Sequence, residues 1–258
     1  GSLELRETEH FYLDLSQLEP AVANFLRERS EHMRDTVLGE SLGKIEAEGL
    51  LPRPITRDLD WGIPVPVEGW DGKCLYVWFE AVIGYLSSPI EMSKVIGNLD
   101  AWKSWWTQEA RQFYFIGKDN IFFHTSLWPA ELMGTGDKFP PIFSKLSGLP
   151  EAEPHALTLP HDVPANQFMN LEGKKISGSR NWAVYGRDAL SRYDADALRY
   201  YLTVNMPETK DADWDWAEFV AHNNNELVAN WGNLANRVLS FCYKHWEGHI
   251  PNVDEATL

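Results

Sequence analysis

Apolar residues at Val22, Phe25, Leu26 and Met33, with charges between them, recur at the three-to-four spacing of a helix face, so residues 15–49 are predicted to be helical. Over residues 50–71 that period is lost, and the frequent Pro and Gly read as loop and short strand. The pattern then switches. Residues 74–78 form a short strand-like run, followed from Glu80 to about Ser87 by helix-like residues. A short helix bearing three tryptophans is expected at 99–107, and a second strand-like run at 112–116. The break at Gly117-Lys-Asp-Asn120 opens a helix reaching about Met133, and residues 140–147 are a further strand candidate. Two strand–helix alternations in succession predict an α/β unit with a mainly parallel sheet.

After residue 147 the character changes. Residues 161–179 read as a hairpin turning at Glu172-Gly173. Asp194 is placed to cap a helix through Leu198, Tyr201 and Leu202. Asp215 and Glu218 have the spacing of a capping box for a long helix reaching about Lys244. Pro207 and a run of small and acidic residues suggest a boundary at 205–213. No internal repeat or low-complexity tract interrupts the chain.

Composition narrows this picture. The 258 residues, 44% hydrophobic and 24% charged, suit a globular protein of one large or two modest domains. No apolar run approaches the about eighteen residues of a membrane span, and no signal peptide opens the chain, so no membrane is expected as a partner. Cys74 and Cys242 lie far apart, implying neither a disulfide framework nor a cysteine metal site, and a reducing, cytoplasmic setting fits best. Gly1-Ser2 in place of an initiator Met reads as the remnant of a cleaved tag on a segment of a longer protein. The net charge of −15 argues against nucleic acid if taken whole. Its distribution matters more: residues 1–170 carry 14 Lys and Arg against 25 Asp and Glu, whereas 171–244 carry 9 against 10, leaving room for small basic faces.

Four constellations can carry chemistry. The segment 173–181, Gly-Lys-Lys-Ile-Ser-Gly-Ser-Arg-Asn, gathers cations, hydroxyls and glycines in a way that suits an anion, although a short basic hairpin tip is more often plain solvated surface. Its spacing is not that of a Walker loop. In 115–120, Gly117 allows close backbone approach at a strand end and Asp119 can accept from ribose hydroxyls; equally, the pair can shape a tight turn and cap the next helix. Trp78, Ala81, Val82 and Tyr85, with His124 on the following helix, make either a small apolar pocket or plain hydrophobic core. On the long helix, Asn233 and Arg237 are spaced to share a face and reach unstacked RNA bases, or to join helices by buried hydrogen bonds.

The order of these four features resembles the methionyl-tRNA synthetases, a family of class I aminoacyl-tRNA synthetases. Residues 76–85 look like that family's methionine-pocket segment, and Phe115-Ile-Gly-Lys-Asp-Asn-Ile-Phe-Phe-His124 with Trp128-Pro129 looks like its nucleotide strand and following helix. Lys175-Ile-Ser-Gly-Ser179 is similar to the class signature Lys-Met-Ser-Lys-Ser, and residues 194–201 and 233–237 resemble its stem-contact and anticodon-binding helices. The resemblance runs from about Glu7 to Lys244.

It implies an α/β fold: the second half of a Rossmann-like nucleotide-binding domain at 51–150, after a helical remainder of the connective peptide at 1–50. A signature loop and stem-contact region would follow at 151–205, and the start of an α-helical anticodon-binding bundle at 206–258. Trp78, Ala81, Val82, Tyr85 and His124 would surround methionine, with Arg57 near the active site. Gly117, Asp119 and Lys174 would contact ATP, and Lys175, Ser177 and Ser179 would steady the departing pyrophosphate, with Mg²⁺ assisting. Asn233 and Arg237 would read the anticodon of tRNA(Met). Two departures stand out. Gly178 occupies the signature's second lysine, so phosphate charge falls on Lys175, and the family's His-Ile-Gly-His loop and zinc cysteines are absent. A non-catalytic tRNA-binding module with the same fold is the alternative. A synthetase for a branched aliphatic amino acid would carry a large editing insertion, which this chain does not.

Overall fold

The computed structural model describes residue 5 and residues 7–106, 109–136 and 156–249; the strand expected at 140–147 lies outside them. Contacts divide the chain into two compact units, residues 1–166 and 167–258.

In the first unit, β1 (Tyr12–Leu13) leads through a 3-10 turn into α1 (Glu19–Glu28), which buries Val22, Ala23, Phe25 and Leu26 along one stripe. Next, α2 (Asp35–Glu48) buries Val37, Ser41 and Ile45 and stops at Gly49, whose φ of 71° lets its N–H return to the Ile45 carbonyl. β2 (Arg53–Pro54) pairs antiparallel with β1, and β3 (Thr56–Asp58) pairs antiparallel with β4 (Lys73–Leu75). Here the chain departs from the sequence pattern. The strand expected to run to Trp78 ends at Leu75, because α3 (Val77–Glu80) begins immediately and continues through a 3-10 segment, Ala81–Ile83, into α4 (Gly84–Val95). The tryptophan helix is a 3-10 helix at Ala101–Trp105; Trp102 and the following Trp106 are buried while Trp105 is exposed.

β5 (Ile116–Gly117) opens the helical run that ends in α5 (Trp128–Thr135), and it pairs parallel with β6 (Ala165–Asn166). Among the described residues this pair, with an isolated parallel bridge between Phe113 and Asp162, is the parallel pairing of the first unit, so the mainly parallel sheet expected from the strand–helix alternation is not formed by β4 and β5. β4 is occupied as the return strand of β3. The core lies where α1, α2 and 121–135 meet, joined at depth by Ser41 Oγ and Thr125 Oγ1, 2.8 Å apart, and by the edge contact of Trp106 on Trp128.

In the second unit, β7 (Met169–Leu171) and β8 (Lys174–Lys175) form a hairpin that turns at Glu172-Gly173 as expected but is shorter than the 161–179 predicted, because Ala165–Asn166 pairs with β5 instead. Both turn residues have positive φ, 50° and 70°, the combination that a two-residue hairpin turn requires. After α6 (Gly186–Leu190), Asp194 caps α7 (Ala195–Val204) by accepting from the Asp196 N–H. β9 (Ala212–Trp214) pairs parallel with β7, giving the order β8-β7-β9. Asp215 then caps α8 (Trp216–His222), which continues through wide π-type turns, Asn223–Gly232, into α9 (Asn233–Trp246). Tyr201, Trp214 and Phe219 pack ring against ring at the centre of this unit.

Candidate functional site

In the first unit the polar centre is a chain of three groups. His124 is buried on the helix that follows β5, and its Nδ1 lies 2.9 Å from the Asn120 carbonyl, an obligate acceptor, so Nδ1 carries the proton. Nε2 is then the lone-pair nitrogen, and the Tyr85 hydroxyl, 2.8 Å away, donates to it. Burial holds the imidazole below its ordinary value, and burial likewise raises the Tyr85 hydroxyl. His124 is therefore neutral at pH 7. Tyr114 stands edge-on to Tyr85 at 4.8 Å between ring centroids, and burial pushes its hydroxyl up to about 12. That hydroxyl accepts from Trp128 Nε1 and donates to Gln112 Oε1.

The other apolar candidates separate. Ala81 and Tyr85 line an open groove of about 740 Å³ with Met92, Trp106, Tyr114 and Phe115. Trp78 instead stacks on Phe123 and lines a cavity of about 220 Å³ together with Arg57 and Tyr76. The Arg57 guanidinium sits 3.8 Å above the Tyr76 ring and donates to the Thr56 carbonyl. Val82 faces neither space; it is 4% exposed and belongs to the core. Gly117 is extended, and a Cβ there would fall 2.9 Å from Asp119 Oδ1, so the missing side chain lets the Asp119 carboxylate fold back over the strand end.

In the second unit the loop after β8 is tightly organised. Ser177 and Trp182 exchange two backbone hydrogen bonds of 2.9 Å, and Asn181, at φ 52°, donates to the Gly178 carbonyl. Ser177 Oγ and Ser179 Oγ lie 3.2 Å apart. Lys174 and Lys175 are exposed, with their ammonium groups over the rings of Trp182 and Phe168 at 5.1 and 5.5 Å. The hairpin tip is tied down: Gly173 N–H donates to both Asp213 carboxylate oxygens, and Glu172 Oε1 accepts from Trp216 N–H. The result is two cations and two hydroxyls on a short, braced loop, a chemistry suited to phosphate. On α9, Arg237 Nε donates to Asn233 Oδ1 at 3.1 Å, and both side chains are exposed on one face.

Residues 1–239 match the model of the tRNA synthetases class I (M). The chain belongs to this family. It is 49% identical to a protein of Thermobifida fusca named methionine–tRNA ligase, over 98% of this chain and 41% of that one. A Thermomicrobium roseum protein of the same name is also 49% identical, over 95% of this chain and 39% of its own length. The chain thus spans about two fifths of these relatives. Among solved structures, Mycobacterium tuberculosis methionyl-tRNA synthetase bound by methionyl-adenylate superposes with a TM-score of 0.70 at 25% identity, covering 95% of this chain and 43% of that one. The fold is accordingly the mixed α/β fold of a class I synthetase.

Within this family fold, sequence reasoning overlooked Trp182. Its indole N–H donates to the Leu171 carbonyl at 3.0 Å and so pins the loop after β8 to β7. The signal available was a tryptophan directly after the Ser-Arg-Asn run, whose indole N–H is a donor seeking a nearby acceptor. Mg²⁺ is a different matter. Among the described residues no group of three or more His, Cys, Asp or Glu is placed to hold a metal ion, and Mg²⁺ carried on ATP phosphates needs only one or two carboxylates rather than such a group. No described helix is long and apolar enough to cross a membrane.

Proposed function

We propose that this chain is part of a methionine–tRNA ligase that activates methionine with ATP and passes it to tRNA(Met). The observation that carries the reading is the match of nearly the whole chain, at 49% identity, to proteins named for that activity. Tyr85, which lines an aromatic groove and is bonded to the buried, neutral His124 behind it, supports the reading, since a neutral, polarizable wall suits a thioether side chain. In this reading the methionine carboxylate attacks the α-phosphate of ATP in line, pyrophosphate leaves, and the adenylate transfers methionine to the tRNA 3′ end. Side chains do little covalent work; they orient the reactants and stabilise charge on the leaving group.

Ala81 and Tyr85, backed by His124, take the methionine side, with Trp78 beside Arg57 in a second cavity and Val82 supporting them from the core. Gly117 and Asp119 contact the nucleotide. Lys175, with Lys174, Ser177 and Ser179, takes the pyrophosphate, and Asn233 with Arg237 meets the anticodon. Residues 1–50 are then connective-peptide remainder, 51–150 the second Rossmann half, 151–205 the signature and stem-contact region, and 206–258 the start of the anticodon-binding bundle. The two unbridged cysteines fit a reducing, cytoplasmic setting.

Lys175→Ala in the full-length ligase tests the reading. Methionine-dependent ATP–pyrophosphate exchange is expected to fall by about a hundredfold or more while methionine binding changes little. Unchanged exchange refutes the role of Lys175. The 258 residues alone are expected to support no exchange, because they span only part of the ligase; turnover by them would overturn that expectation.

A further inference from the structure

A second set of basic groups gathers elsewhere in the first unit. The rings of His32 and His161 lie 4.4 Å apart at 34°, and Phe113 meets His161 edge-on at 5.2 Å. The Gln112 carbonyl accepts from the N–H groups of both His161 and Asp162, which brings the neighbouring Arg111 to the same place. Arg29 stands at the end of α1, its carbonyl accepting from the His32 N–H one turn on. It is half-buried, and its Nε–H is sealed from solvent without a hydrogen-bond partner. None of the ion pairs among the described residues involves Arg29 or Arg111. Glu28, next to Arg29, instead accepts from Asn24.

These groups feel one another. Burial first, then the charges of His32, Arg111 and Arg29, hold His161 below its ordinary value, with Asp162 opposing them. A chain of net charge −15 repels anions as a whole, so two arginines outside any ion pair among the described residues, with Asp162 acting on His161 beside them, are a departure that needs an explanation. The orphaned Nε–H of Arg29 costs free energy, and since it is itself sealed, an anion arriving from solvent meets the outer nitrogens of the half-buried guanidinium.

We propose that Arg29, His32, Arg111 and His161 form a phosphate-binding site, with Phe113 and the imidazoles offering faces to a base when a nucleic-acid strand carries the phosphate. Arginine supplies the planar fork that matches phosphate oxygens, and the rings suit unstacked bases. The site stands whether or not the ligase reading holds, since it shares no residue with the methionine groove or the signature loop.

The test follows the histidine ring signals by NMR in the 258-residue chain, titrated separately with inorganic phosphate and with a single-stranded hexaribonucleotide. Saturable shifts of His32 and His161 are expected with at least one probe, together with a rise in the His161 titration midpoint on saturation. Arg29→Gln with Arg111→Gln should weaken binding by about tenfold or more, whereas Arg27→Gln, which removes one such charge at an exposed site on α1, should not. If the double variant fails to fold, Arg111→Gln alone should still weaken binding by about threefold or more, because Arg111 is exposed. Tighter binding of the oligonucleotide identifies a strand as the source; equal or better binding of inorganic phosphate identifies a free anion. Absence of saturable shifts with both probes, or shifts undiminished in the Arg111 variant, overturns the proposal.

Discussion

Glu131 on α5 offers a stability test in which the sign depends on pH. Its carboxyl lines an apolar cavity of about 320 Å³ with Leu18, Phe79 and Trp128, and neither oxygen has a hydrogen-bond partner. Burial pushes it up to about 8 from an ordinary 4.5. Below pH 4.5 both the folded and the unfolded chain hold the proton, so the group costs nothing beyond its burial. Between 4.5 and 8 the unfolded chain has released the proton and the folded chain has not, so stability falls as pH rises; above 8 the loss is complete. Each pH unit in that window removes about 1.4 kcal/mol, or about 3 kcal/mol by pH 7, and partial exposure of the side chain reduces this to about 2 kcal/mol. Glu131→Gln removes the titration without changing shape. Urea unfolding of both proteins from pH 4.5 to 8.5 should give curves that diverge with rising pH, the variant gaining about 2 kcal/mol on the original chain by pH 7. Parallel pH profiles would show that the carboxyl ionises as freely in the folded chain as in the unfolded one, and would refute the argument.

Two further substitutions probe the candidate sites. Tyr85→Phe removes the donor to His124 Nε2, so the chain should lose about 1 kcal/mol and the imidazole should titrate at higher pH, its neutral form having lost a hydrogen bond. A His124 midpoint unmoved by NMR would show the tautomer assignment to be wrong. Trp182→Phe keeps a ring beneath Lys174 but deletes the bond to the Leu171 carbonyl, and in the full-length ligase it should slow exchange by about tenfold with little change in methionine affinity. A loss confined to methionine binding would contradict a role in bracing the loop.

Why some of this was legible and some not follows from the range of the interactions. Asp194 and Asp215 were readable as caps because each bonds a backbone N–H two or three residues on, and Glu172-Gly173 as a turn because a two-residue loop demands positive φ. The pairing of β1 with β2 joins Tyr12 to Pro54 through strands of two residues, too short to impose any alternation on the sequence. The Trp182–Leu171 bond uses a backbone carbonyl, which every residue possesses, and the burial of Glu131 is a tertiary fact that no period records. The methionine-side residues show the same limit at finer scale. On a regular α-helix the sequence places Ala81, Val82 and Tyr85 on one face, just beyond Trp78. The 3-10 segment Ala81–Ile83 turns about 120° per residue instead of about 100°, so over three residues the face rotates by about 60°. That rotation accompanies the burial of Val82 in the core and the separation of Trp78, beside Arg57, from Tyr85, beside His124. The sequence thus names the residue types of the groove, while the local winding of one helix decides which of them share it.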